Sequence, residues 1–583
     1  MYGWQGTILS IDLSTKQSWT IHLPEETYAS AVGGRGLAGL LLQEFMGLPW
    51  DHPDLPVALM TGPLVDTPSP TSGRLCVMSR SPLTGAVGDS SVGGKLGTMI
   101  KRAGYDGLLI HGRSHRACGI EIQDRLCRIV EAPDIKASCN AERFARLKGK
   151  GSLMLVGPAA EHGAHLANLV VDGHFFAGRG GLGLVCAAKH LSYLAVKGSG
   201  STQVFDRKSL KQAREEISRL IAASPVLFGE YGLATLGTGT LFDLLHTRRM
   251  MPTANFRQTY FEPASAMNGP AMAEAYRPTK AGCRGCHIQC KRVSSGGQSM
   301  PEFESMSHFS ALLENRSLET VFEANRLCSE YGLDTISTGA TLACYSEILG
   351  RRLQPREILC LIEDLAMARG LGAQLARGSW HYARSRGRPE ASMSVKGLEL
   401  PAYDPRGAYG MALAYAVSTR GGCHLRAYPI SHEILRKPVA TDRFTFQGKA
   451  RIIKIAEDLN AAVDSLTACK FVFLSAGLEE YAAAFQAVTG LSCTGQDLLE
   501  CGERTVYRER IINARNGLTA EDDDLPHRFF QEPGTAGAGF SVPPLDRQAF
   551  LQARNRYYAV RGLTADGFPR QDKTEALGLV WTS

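Results

Sequence analysis

The chain has 583 residues, of which 44% are hydrophobic and 21% are charged, and a formal net charge of +7. This length exceeds what one hydrophobic core supports, so about three domains are expected. The mild charge without a long basic run argues against nucleic-acid binding, and no run approaches the roughly 18 apolar residues of a membrane span. Fifteen scattered cysteines, with no leader pattern at the N-terminus, predict reduced thiols in the cytoplasm rather than a disulfide framework.

The first part of the chain is predicted to be rich in β-structure. Gly6–Leu13 and Ser18–Leu23 alternate apolar and polar residues around a short turn, which predicts a hairpin. Further strand-like runs occur at 107–111, 119–122, 126–130 and 152–156. Glycines and serines at 198–202 then mark a domain boundary.

Two glycine-rich strings in this part match Gly-x-Gly-x-x-Gly, beginning at Gly34 and Gly178. Neither follows a clean buried strand in a βαβ unit with an acidic residue about 20 residues later, so neither is interpreted as a dinucleotide-binding fingerprint. Two interpretations stay open on these residues alone. The glycines form tight turns, or their backbone amides cradle phosphates together with Arg35, Arg74 and Arg179.

From Asp206 onward the apolar spacing becomes helical. Helices are predicted at 210–223, 317–331, 335–349, 408–418, 448–465 and 497–516. An Arg-rich stretch at 384–390 is a second boundary. The predicted fold is therefore α+β, with a β-rich domain at 1–203 followed by two mainly α-helical domains at 204–392 and 393–583.

Three cysteines, Cys283, Cys286 and Cys290, lie within eight residues of a loop between predicted helices. Thiolates at this spacing converge on one point, which suits an iron–sulfur cluster or zinc, with a fourth ligand from elsewhere. The string from Cys283 to His287 also matches the c-type haem attachment pattern, although that reaction needs export. On the local string an iron–sulfur cluster is favoured, and zinc and haem stay open.

Ten strings in chain order carry a resemblance to a known family. They are GWQGTILSIDL (3–13), VGGRGLAG (32–39), TSGRLCVMSRSPLTG (71–85), AGRGGLG (177–183), CRGCHIQC (283–290), PEFES (301–305), YGLDTISTG (331–339), KGLELPAYDPRGA (396–408), STRGGCHLRAY (418–428) and VRGLTADGFP (560–569). Together they resemble the tungsten-containing aldehyde:ferredoxin oxidoreductase family nearly end to end. One such string is weak support, whereas ten in the same order are specific.

The resemblance implies a base of two β-sheets, two helical domains, and between them a tungsten held by the dithiolenes of two pterins beside a [4Fe–4S] cluster. The implied cluster ligands are Cys283, Cys286, Cys290 and Cys469, with His287 as a bystander. Molybdenum is the alternative metal, and Mg²⁺ bridging the pterin phosphates is a further expectation. The implied partners are a small-molecule aldehyde and a ferredoxin or a ferredoxin-like iron–sulfur subunit.

The pterin contacts implied by the resemblance come from all three predicted domains. They are Arg74, Ser91, Gly93, Arg179, Gly180, Leu182, Ser329, Asp334, Arg426, Asp464 and Ala468. The family's Asp-x-x-Gly-Leu-Asp/Cys strings are altered here, because Ser329 replaces one leading Asp and Thr467-Ala468 replaces one Gly-Leu. A serine hydroxyl accepts a hydrogen bond without the charge of a carboxylate, so Asp464 is the stronger expectation.

The resemblance implies that Glu304 and His424 are the catalytic acid/base and proton-exchanging groups of an aldehyde oxidation that uses water. A carboxylate in a dry cavity has a raised pKa, and a nearby histidine can exchange protons with it. Without the resemblance, a helix-start carboxylate and a core histidine would be the favoured interpretation, since isolated titratable residues are usually structural.

Two other functions stay open at this point: the catalytic subunit of an aromatic acyl-CoA reductase complex, and a non-catalytic electron-transfer subunit. The altered strings at Ser329 and Thr467-Ala468 favour the latter, and the intact Glu304 and His424 oppose it. The sequence contains no Glu-x-x-His motif, which the family uses for an iron site that bridges its dimer. A homodimer without that metal, or a heteromeric complex, is expected.

Overall fold

Two six-stranded sheets form the N-terminal part of the chain in the computed structural model, which describes residues 1–132, 135, 138–534 and 540–581. The strands are β1 (Thr7–Asp12), β2 (Gln17–His22), β3 (Val57–Met60), β4 (Leu75–Arg80), β5 (Val87–Val92), β6 (Gly107–His111), β7 (Cys118–Gln123), β8 (Leu126–Glu131), β9 (Ser152–Val156), β10 (Leu169–Val171), β11 (Phe175–Ala177) and β12 (Leu191–Lys197). The strand orders are β2-β1-β6-β3-β4-β5 and β11-β10-β9-β12-β7-β8.

Both sheets are mixed, with one parallel pair each. β1 runs parallel to β6, and β12 runs parallel to β7, whereas the other neighbours are antiparallel. The predicted hairpin of β1 and β2 is confirmed, with Thr7 opposite His22 and Asp12 opposite Gln17. β1 is buried because it has a neighbour on each side, while the edge strand β2 is mostly exposed.

In the described part of this region there are six short helices. They are α1 (Glu25–Ala31), α2 (Gly34–Leu42), α3 (Leu96–Arg102), α4 (Asn140–Arg146), α5 (Pro158–Glu161) and α6 (Leu182–Ala188). Of these, α2, α3, α4 and α6 pack directly against the sheets. The Gly34 string opens α2, and the Gly178 string joins β11 to α6. β11 pairs only with the antiparallel β10, so the second string lies outside a parallel βαβ unit. Rejecting the dinucleotide-binding interpretation therefore agrees with the topology, although the Gly178 string does follow a short strand.

The rest of the chain is mainly helical. Its helices are α7 (Arg207–Ala222), α8 (Pro225–Phe228), α9 (Leu233–Leu236), α10 (Leu241–Thr247), α11 (Gly269–Tyr276), α12 (Phe303–Phe309), α13 (Leu318–Tyr331), α14 (Thr335–Leu349), α15 (Pro355–Ala366), α16 (Leu371–Leu375), α17 (Ser379–Ser385), α18 (Tyr409–Val417), α19 (Ile430–Glu433), α20 (Lys449–Ser465), α21 (Leu478–Thr489), α22 (Gly495–Arg515), α23 (Arg528–Gln531), α24 (Arg547–Arg561) and α25 (Gln571–Ala576). Two small hairpins interrupt them, formed by β13 (Thr279–Ala281) with β14 (Lys291–Val293) and by β15 (Ser394–Val395) with β16 (Leu398–Glu399). The predicted α+β class is confirmed.

The sheets and the last helices share one interior. α2 packs against β3 and β4 on one side and against α20 and α22 on the other. One buried apolar cluster accordingly joins Trp4 and Leu37 from the base to Ala462 and Phe485 from the C-terminal helices. This packing brings the ends of β4 and β5 against the loops that carry the candidate site.

The three predicted domain ranges stay predictions. Sheet structure ends with β12 at Lys197 and the first long helix begins at Arg207. The second predicted boundary, 384–390, falls at the end of α17. The sequence is rich in proline and glycine from Gln531 to Pro544, and residues 535–539 of this stretch lie outside the described residues.

Among the described residues, a test of length and apolar composition finds no single helix able to cross a membrane. One helix pair, Arg207–Ala222 with Pro225–Thr247, meets the test when taken together, but it is bent by 67°.

Candidate active site

A small hairpin presents the three clustered cysteines. β13 and β14 pair in register from Thr279 opposite Val293 to Ala281 opposite Lys291, so the nine residues between them form one tight loop. Within it the amide of Cys286 donates to the carbonyl oxygen of Cys283 at 3.1 Å. Gly285 has a φ of +72°, a conformation that glycine adopts without a steric penalty.

Cys469 approaches this loop from the C-terminal part of the chain. Its amide donates to the carbonyl oxygen of Thr71 at 3.0 Å, and the amide of Arg74 donates to the carbonyl oxygen of Thr467 at 3.2 Å. Two segments that are far apart in sequence therefore run side by side. Burial, and then the Cys283 thiolate, raise the pKa of Cys469 to about 11. Burial and the nearby Cys469 thiolate likewise raise the pKa of Cys290.

Arg74 lies beside these thiols. Its Nε and Nη2 donate to the hydroxyl and carbonyl oxygens of Ser91 at 2.8 and 2.6 Å. Burial opposes its charge, but the thiolates of Cys469, Cys283 and Cys290 raise its pKa overall. The four cysteines predicted as cluster ligands therefore share one electrostatic neighbourhood. Nowhere in the described chain do three or more His, Cys, Asp or Glu side chains form a group that could hold a single metal ion.

Gly93, just beyond β5, makes this convergence sterically feasible. A Cβ added there would lie 2.4 Å from Cys283 Sγ and 2.9 Å from a ring carbon of Phe175. Contacts this short do not occur in folded proteins, so any other residue would displace the cysteine loop. The structure thus places predicted Gly93 against the thiols, with Arg74 and Ser91 as its neighbours.

Glu304 lies in the first turn of α12, in the interior. Its Oε2 accepts a hydrogen bond from the Ala402 amide at 2.8 Å, and its Oε1 has no hydrogen-bond partner. Burial, the largest influence, raises the pKa of Glu304 to about 8, against the opposing effects of the Ala402 amide and Arg179. The carboxyl group is therefore mostly protonated at neutral pH and can donate as well as accept a proton.

His424 faces Glu304, with Nε2 3.6 Å from Glu304 Oε1. Its Nδ1 is buried without a hydrogen-bond partner. Burial and the charges of Arg179 and Arg420 lower the pKa of His424 well below its ordinary value, so the ring is neutral. The ring stacks on Tyr403 with the centroids 5.4 Å apart. The two residues predicted as catalytic are thus brought together as a neutral acid and a neutral imidazole.

His308 also contacts this pair, and the sequence analysis missed it. It lies one turn after Glu304 on α12, with Nδ1 2.8 Å from the Glu304 carbonyl oxygen and 3.7 Å from Glu304 Oε2. Its Nε2 is 3.2 Å from the carbonyl oxygen of Leu400. Burial lowers its pKa to about 4. The sequence signal for His308 was its position four residues after Glu304 in PEFESMSH, because side chains at this spacing lie next to each other on a helix.

A second missed residue is Cys423, which precedes His424. Its sulfur accepts hydrogen bonds from Arg420 Nη2 at 3.0 Å and from the Leu425 amide at 3.3 Å. Burial favours the neutral thiol, but Arg420, Arg426 and Arg179 outweigh it and hold the pKa of Cys423 below its ordinary value. The sequence signal for Cys423 was the pair of arginines that lie three residues before it and three residues after it.

Buried arginines connect the base of the molecule with its last helices. Arg426 forms two hydrogen bonds with the carboxylate of Asp89, and Arg35 forms two with Glu509 at 2.7 and 2.6 Å. Asp464 Oδ2 lies 2.6 Å from Lys470 Nζ. Predicted Arg426 and Asp464 therefore lie in one buried charged network.

The remaining predicted contacts lie at the edge of this network or outside it. Arg179 donates to Asp334 at 3.2 Å and to the carbonyl oxygens of Gly422 and Glu399 at 2.7 and 2.5 Å. Asp334 also caps α14, because its Oδ1 accepts from the Ile336 amide at 3.0 Å. Ser329 instead bonds within its own helix, where its hydroxyl donates to Asn325 at 2.9 Å.

The glycine string around Gly180 and the segment around Ala468 contribute backbone rather than charge. Gly180 has a φ of +85°, and Leu182, which begins α6, is fully buried. Ala468 is fully buried as well, and its amide donates to the carbonyl oxygen of Val463 at 3.0 Å. The contact of these residues with a cofactor stays a prediction.

The region bounded by these groups, here called the chamber, has the character of a site for a polar, negatively charged cofactor. Six of the buried side-chain atoms here have no hydrogen-bond partner among the described residues: Glu304 Oε1, His424 Nδ1, Asp464 Oδ1, Arg35 Nη1, Arg420 Nε and Arg426 Nε. Native proteins leave few such atoms unsatisfied, so a polar occupant is expected. Besides burial, the charges of Arg420 and Lys470 lower the pKa of His424, and those of Arg35 and Arg426 lower the pKa of Lys470. These groups therefore lie close together. Three of the six atoms are on arginines, which suit phosphate.

Two family models and full-length relatives match nearly the whole chain. The family model described as the N-terminal domain of aldehyde ferredoxin oxidoreductase matches residues 8–198, and the model of domains 2 and 3 matches residues 212–579. The chain is 36% identical over 610 residues to the tungsten-containing aldehyde ferredoxin oxidoreductases of Pyrococcus furiosus and Thermococcus kodakarensis. Each of these alignments covers 99% of both proteins.

Two more distant similarities concern the fold and the wider group. The chain is 25% identical over 642 residues to the WOR-like subunit of the aliphatic sulfonate oxidoreductase of Pyrococcus furiosus, covering 99% of this chain and 97% of the subunit. The solved active-site complex BamBC of benzoyl coenzyme A reductase with 1,5-dienoyl-CoA has a TM-score of 0.85 at 18% identity, covering 99% of this chain and 97% of that one. That likeness shows the same fold. Because two family models and full-length relatives agree along nearly the whole sequence, this chain belongs to the aldehyde ferredoxin oxidoreductase family.

Proposed function

We propose that this chain is a tungsten-dependent enzyme that oxidises an aldehyde to a carboxylate with water as the oxygen source and passes the electrons to ferredoxin. The observation that carries the proposal is the pairing of Glu304 and His424, 3.6 Å apart, beside a buried chamber of unpartnered polar atoms. Full-length relatives named as tungsten-containing aldehyde ferredoxin oxidoreductases support it.

A tungsten bis-pterin is the proposed occupant of the chamber, with molybdenum as the alternative metal. Arg74, Ser91, Gly93, Arg179, Gly180, Leu182, Ser329, Asp334, Arg426, Asp464 and Ala468 are the proposed contacts. Ser329 is the weakest of these, because its hydroxyl is engaged in its own helix. We also propose that a Mg²⁺ ion lies between the phosphates of the two pterins. When bound, the tungsten centre supplies a two-electron redox couple.

The chain's own residues manage the protons. A protonated Glu304 can donate to a carbonyl oxygen, and its deprotonated form can accept a proton from water or from an aldehyde hydrate. His424 is neutral, so its ring can donate one hydrogen bond and accept another beside Glu304 and hold the carboxyl group in position. Tyr403 and Tyr428, whose hydroxyl oxygens are 3.4 Å apart, enclose the imidazole and help to exclude water from the pair.

The proposed electron path begins at the thiols of Cys283, Cys286, Cys290 and Cys469 as ligands of a [4Fe–4S] cluster. Cysteine thiolates are the usual ligands of such clusters. Arg74 supports the assignment, since it lies beside these thiols and compensates the negative charge that a thiolate-ligated cluster concentrates there.

An aldehyde screen tests the function. Protein produced with tungstate and purified without oxygen is mixed with short, long and aromatic aldehydes, and the reduction of a viologen dye is recorded. We expect aldehyde-dependent dye reduction and a carboxylate product in a ratio of one carboxylate to two reduced dye molecules. Metal-loaded protein that reduces dye with none of the aldehydes would refute the proposed activity.

A further inference from the structure

The cysteine loop has one side open to solvent. Arg284, Gly285 and His287 are exposed, and a Cβ built on Gly285 would meet no atom within 4 Å. Cys283 and Cys286, on either side of Gly285, are partly exposed. By contrast, Glu304 and His424 lie in the interior. Electrons that reach this loop are therefore close to the protein surface.

Two stacked aromatic rings lie at the solvent-exposed side of the loop, and we call them the aromatic pad. We define it as Phe228, the last residue of α8, and His287, whose rings stack with centroids 6.3 Å apart and planes within 14°. Phe228 is 42% exposed, although its neighbour Leu227 is fully buried, and Tyr231, three residues later, is 65% exposed. Large apolar rings that remain in water beside a functional loop are typical of a surface that another protein covers.

Positive charge surrounds the pad. Between residues 279 and 292 the chain has no acidic residue and four cations, Lys280, Arg284, Lys291 and Arg292. Arg214 of α7 lies within electrostatic range of the His287 ring. Arg207 and Lys211 precede it at spacings of seven and three residues, which places all three on the same face of the helix.

Acidic residues near the pad are fewer than the cations, and two of them form ion pairs. Lys291 is neutralised by Glu302 at 2.6 Å, and Lys211 lies 3.8 Å from Glu215. Glu230 is exposed close to the pad in sequence. Arg214 and Arg284 carry no ion pair within the described residues. The surface around the pad is therefore positive on balance.

We propose that the pad and its basic surroundings are the docking surface for a small, acidic iron–sulfur electron carrier. The inference rests on the proposed cluster, and it adds where the electrons leave. Charge complementarity steers such a carrier to the surface, and the two rings provide a small apolar contact suited to a short-lived complex. One electron at a time crosses the pad, so the protein cluster is oxidised by one electron and the carrier's cluster is reduced by one.

Stopped-flow mixing tests the surface without aldehyde turnover. A purified acidic [4Fe–4S] ferredoxin, chemically reduced, is mixed with the oxidised protein, and bleaching of the protein's cluster gives a second-order rate constant. Arg214→Glu and Phe228→Ala are compared with Lys208→Glu, an exposed control of equal charge change whose helical position lies about 120° from Arg214 on α7. Iron content and visible absorption are measured for each protein.

We expect Arg214→Glu to lower the rate constant about tenfold at low salt and to flatten its dependence on ionic strength. Phe228→Ala should lower the rate at all salt concentrations, while Lys208→Glu should remain within about twofold of wild type. Reduction of the dye by aldehyde should be unchanged in all three. Wild-type rates in both pad variants, with the cluster intact, would overturn the docking surface but leave the proposed activity standing. Protein without iron would overturn both the cluster and the surface.

Discussion

At Glu304 the dominant physical effect is burial. The carboxyl group accepts one hydrogen bond, from the Ala402 amide, and this does not compensate for the loss of water. Its pKa rises to about 8, which places the change of charge inside the range in which an enzyme operates. Beside it, burial and positive neighbours hold His424 neutral. Opposite shifts of this kind distinguish a proton donor from a proton acceptor in one site.

The raised pKa predicts a specific pH profile. Above about pH 8 Glu304 is deprotonated and can act as a base, so kcat/KM for aldehyde oxidation should rise through this pH. Glu304→Gln should remove that rise and lower kcat/KM by roughly 10²- to 10⁴-fold, as expected for loss of a general acid/base.

The measurement is dye reduction from pH 6 to 10, with tungsten and iron contents determined on the same samples. Glu323→Gln is the matched control, because the Glu323 side chain is 32% exposed and pairs with Arg326 on α13. A Glu304→Gln variant with wild-type activity and an unchanged profile would exclude Glu304 from the chemistry.

At this scale the sequence predicted the two residues that we propose as catalytic, but not their surroundings. Glu304 and His424 were found because PEFES and GGCHLR resemble family strings. His308 and Cys423 were missed, although each lies within four residues of a predicted one. Their importance depends on contacts with Leu400 and Arg420 and on burial, and none of these follows from sequence spacing.

The elements that form the site are short, and several of them are polar. β5 contains Asp89, Ser90 and Ser91, yet it is almost fully buried, because it packs against β4, β11 and α22. Its composition does not predict a strand, and β3 and β4 were likewise not predicted. By contrast, the hairpin of β1 and β2 and the long helices α13, α14, α20 and α22 were predicted because their apolar spacing is regular.

At the end of β5, Gly93→Ala should disrupt the cysteine loop. The added Cβ would lie 2.4 Å from Cys283 Sγ, so the loop must move and the cluster should be lost. We expect iron content to fall by at least half, with circular dichroism unchanged. Gly178→Ala is the control, since a Cβ there meets no atom within 4 Å and its φ is not positive. Full iron content in Gly93→Ala would contradict the proposed position of the cluster.

Across the whole molecule, buried ion pairs fasten the sheets to the C-terminal helices. Arg35 and Glu509 are 474 residues apart in sequence and both almost fully buried, and Asp89 and Arg426 are 337 apart. Such pairings cannot be derived from one sequence, since nothing local marks them. The resemblance predicted the α+β architecture, but this network emerged only from the folded chain.

Removing one partner of such a pair should destabilise the protein strongly. Arg35→Met leaves Glu509 buried with less compensation, so we expect the free energy of unfolding to fall by about 3–5 kcal/mol. Urea unfolding followed by tryptophan fluorescence measures it. Arg351→Met, which breaks the exposed pair with Glu357, should leave the free energy of unfolding almost unchanged. Equal effects of the two substitutions would show that the Arg35–Glu509 pair does not fasten the two parts.

Elemental analysis of protein produced with tungstate and purified without oxygen tests the central claim most directly. Tungsten, molybdenum, iron and zinc are quantified per chain by mass spectrometry. The proposed cofactors predict about one tungsten or molybdenum and about four irons, as a single cubane cluster requires. Zinc alone, with neither heavy metal nor iron, would contradict the assigned cofactors and with them the proposed aldehyde oxidation.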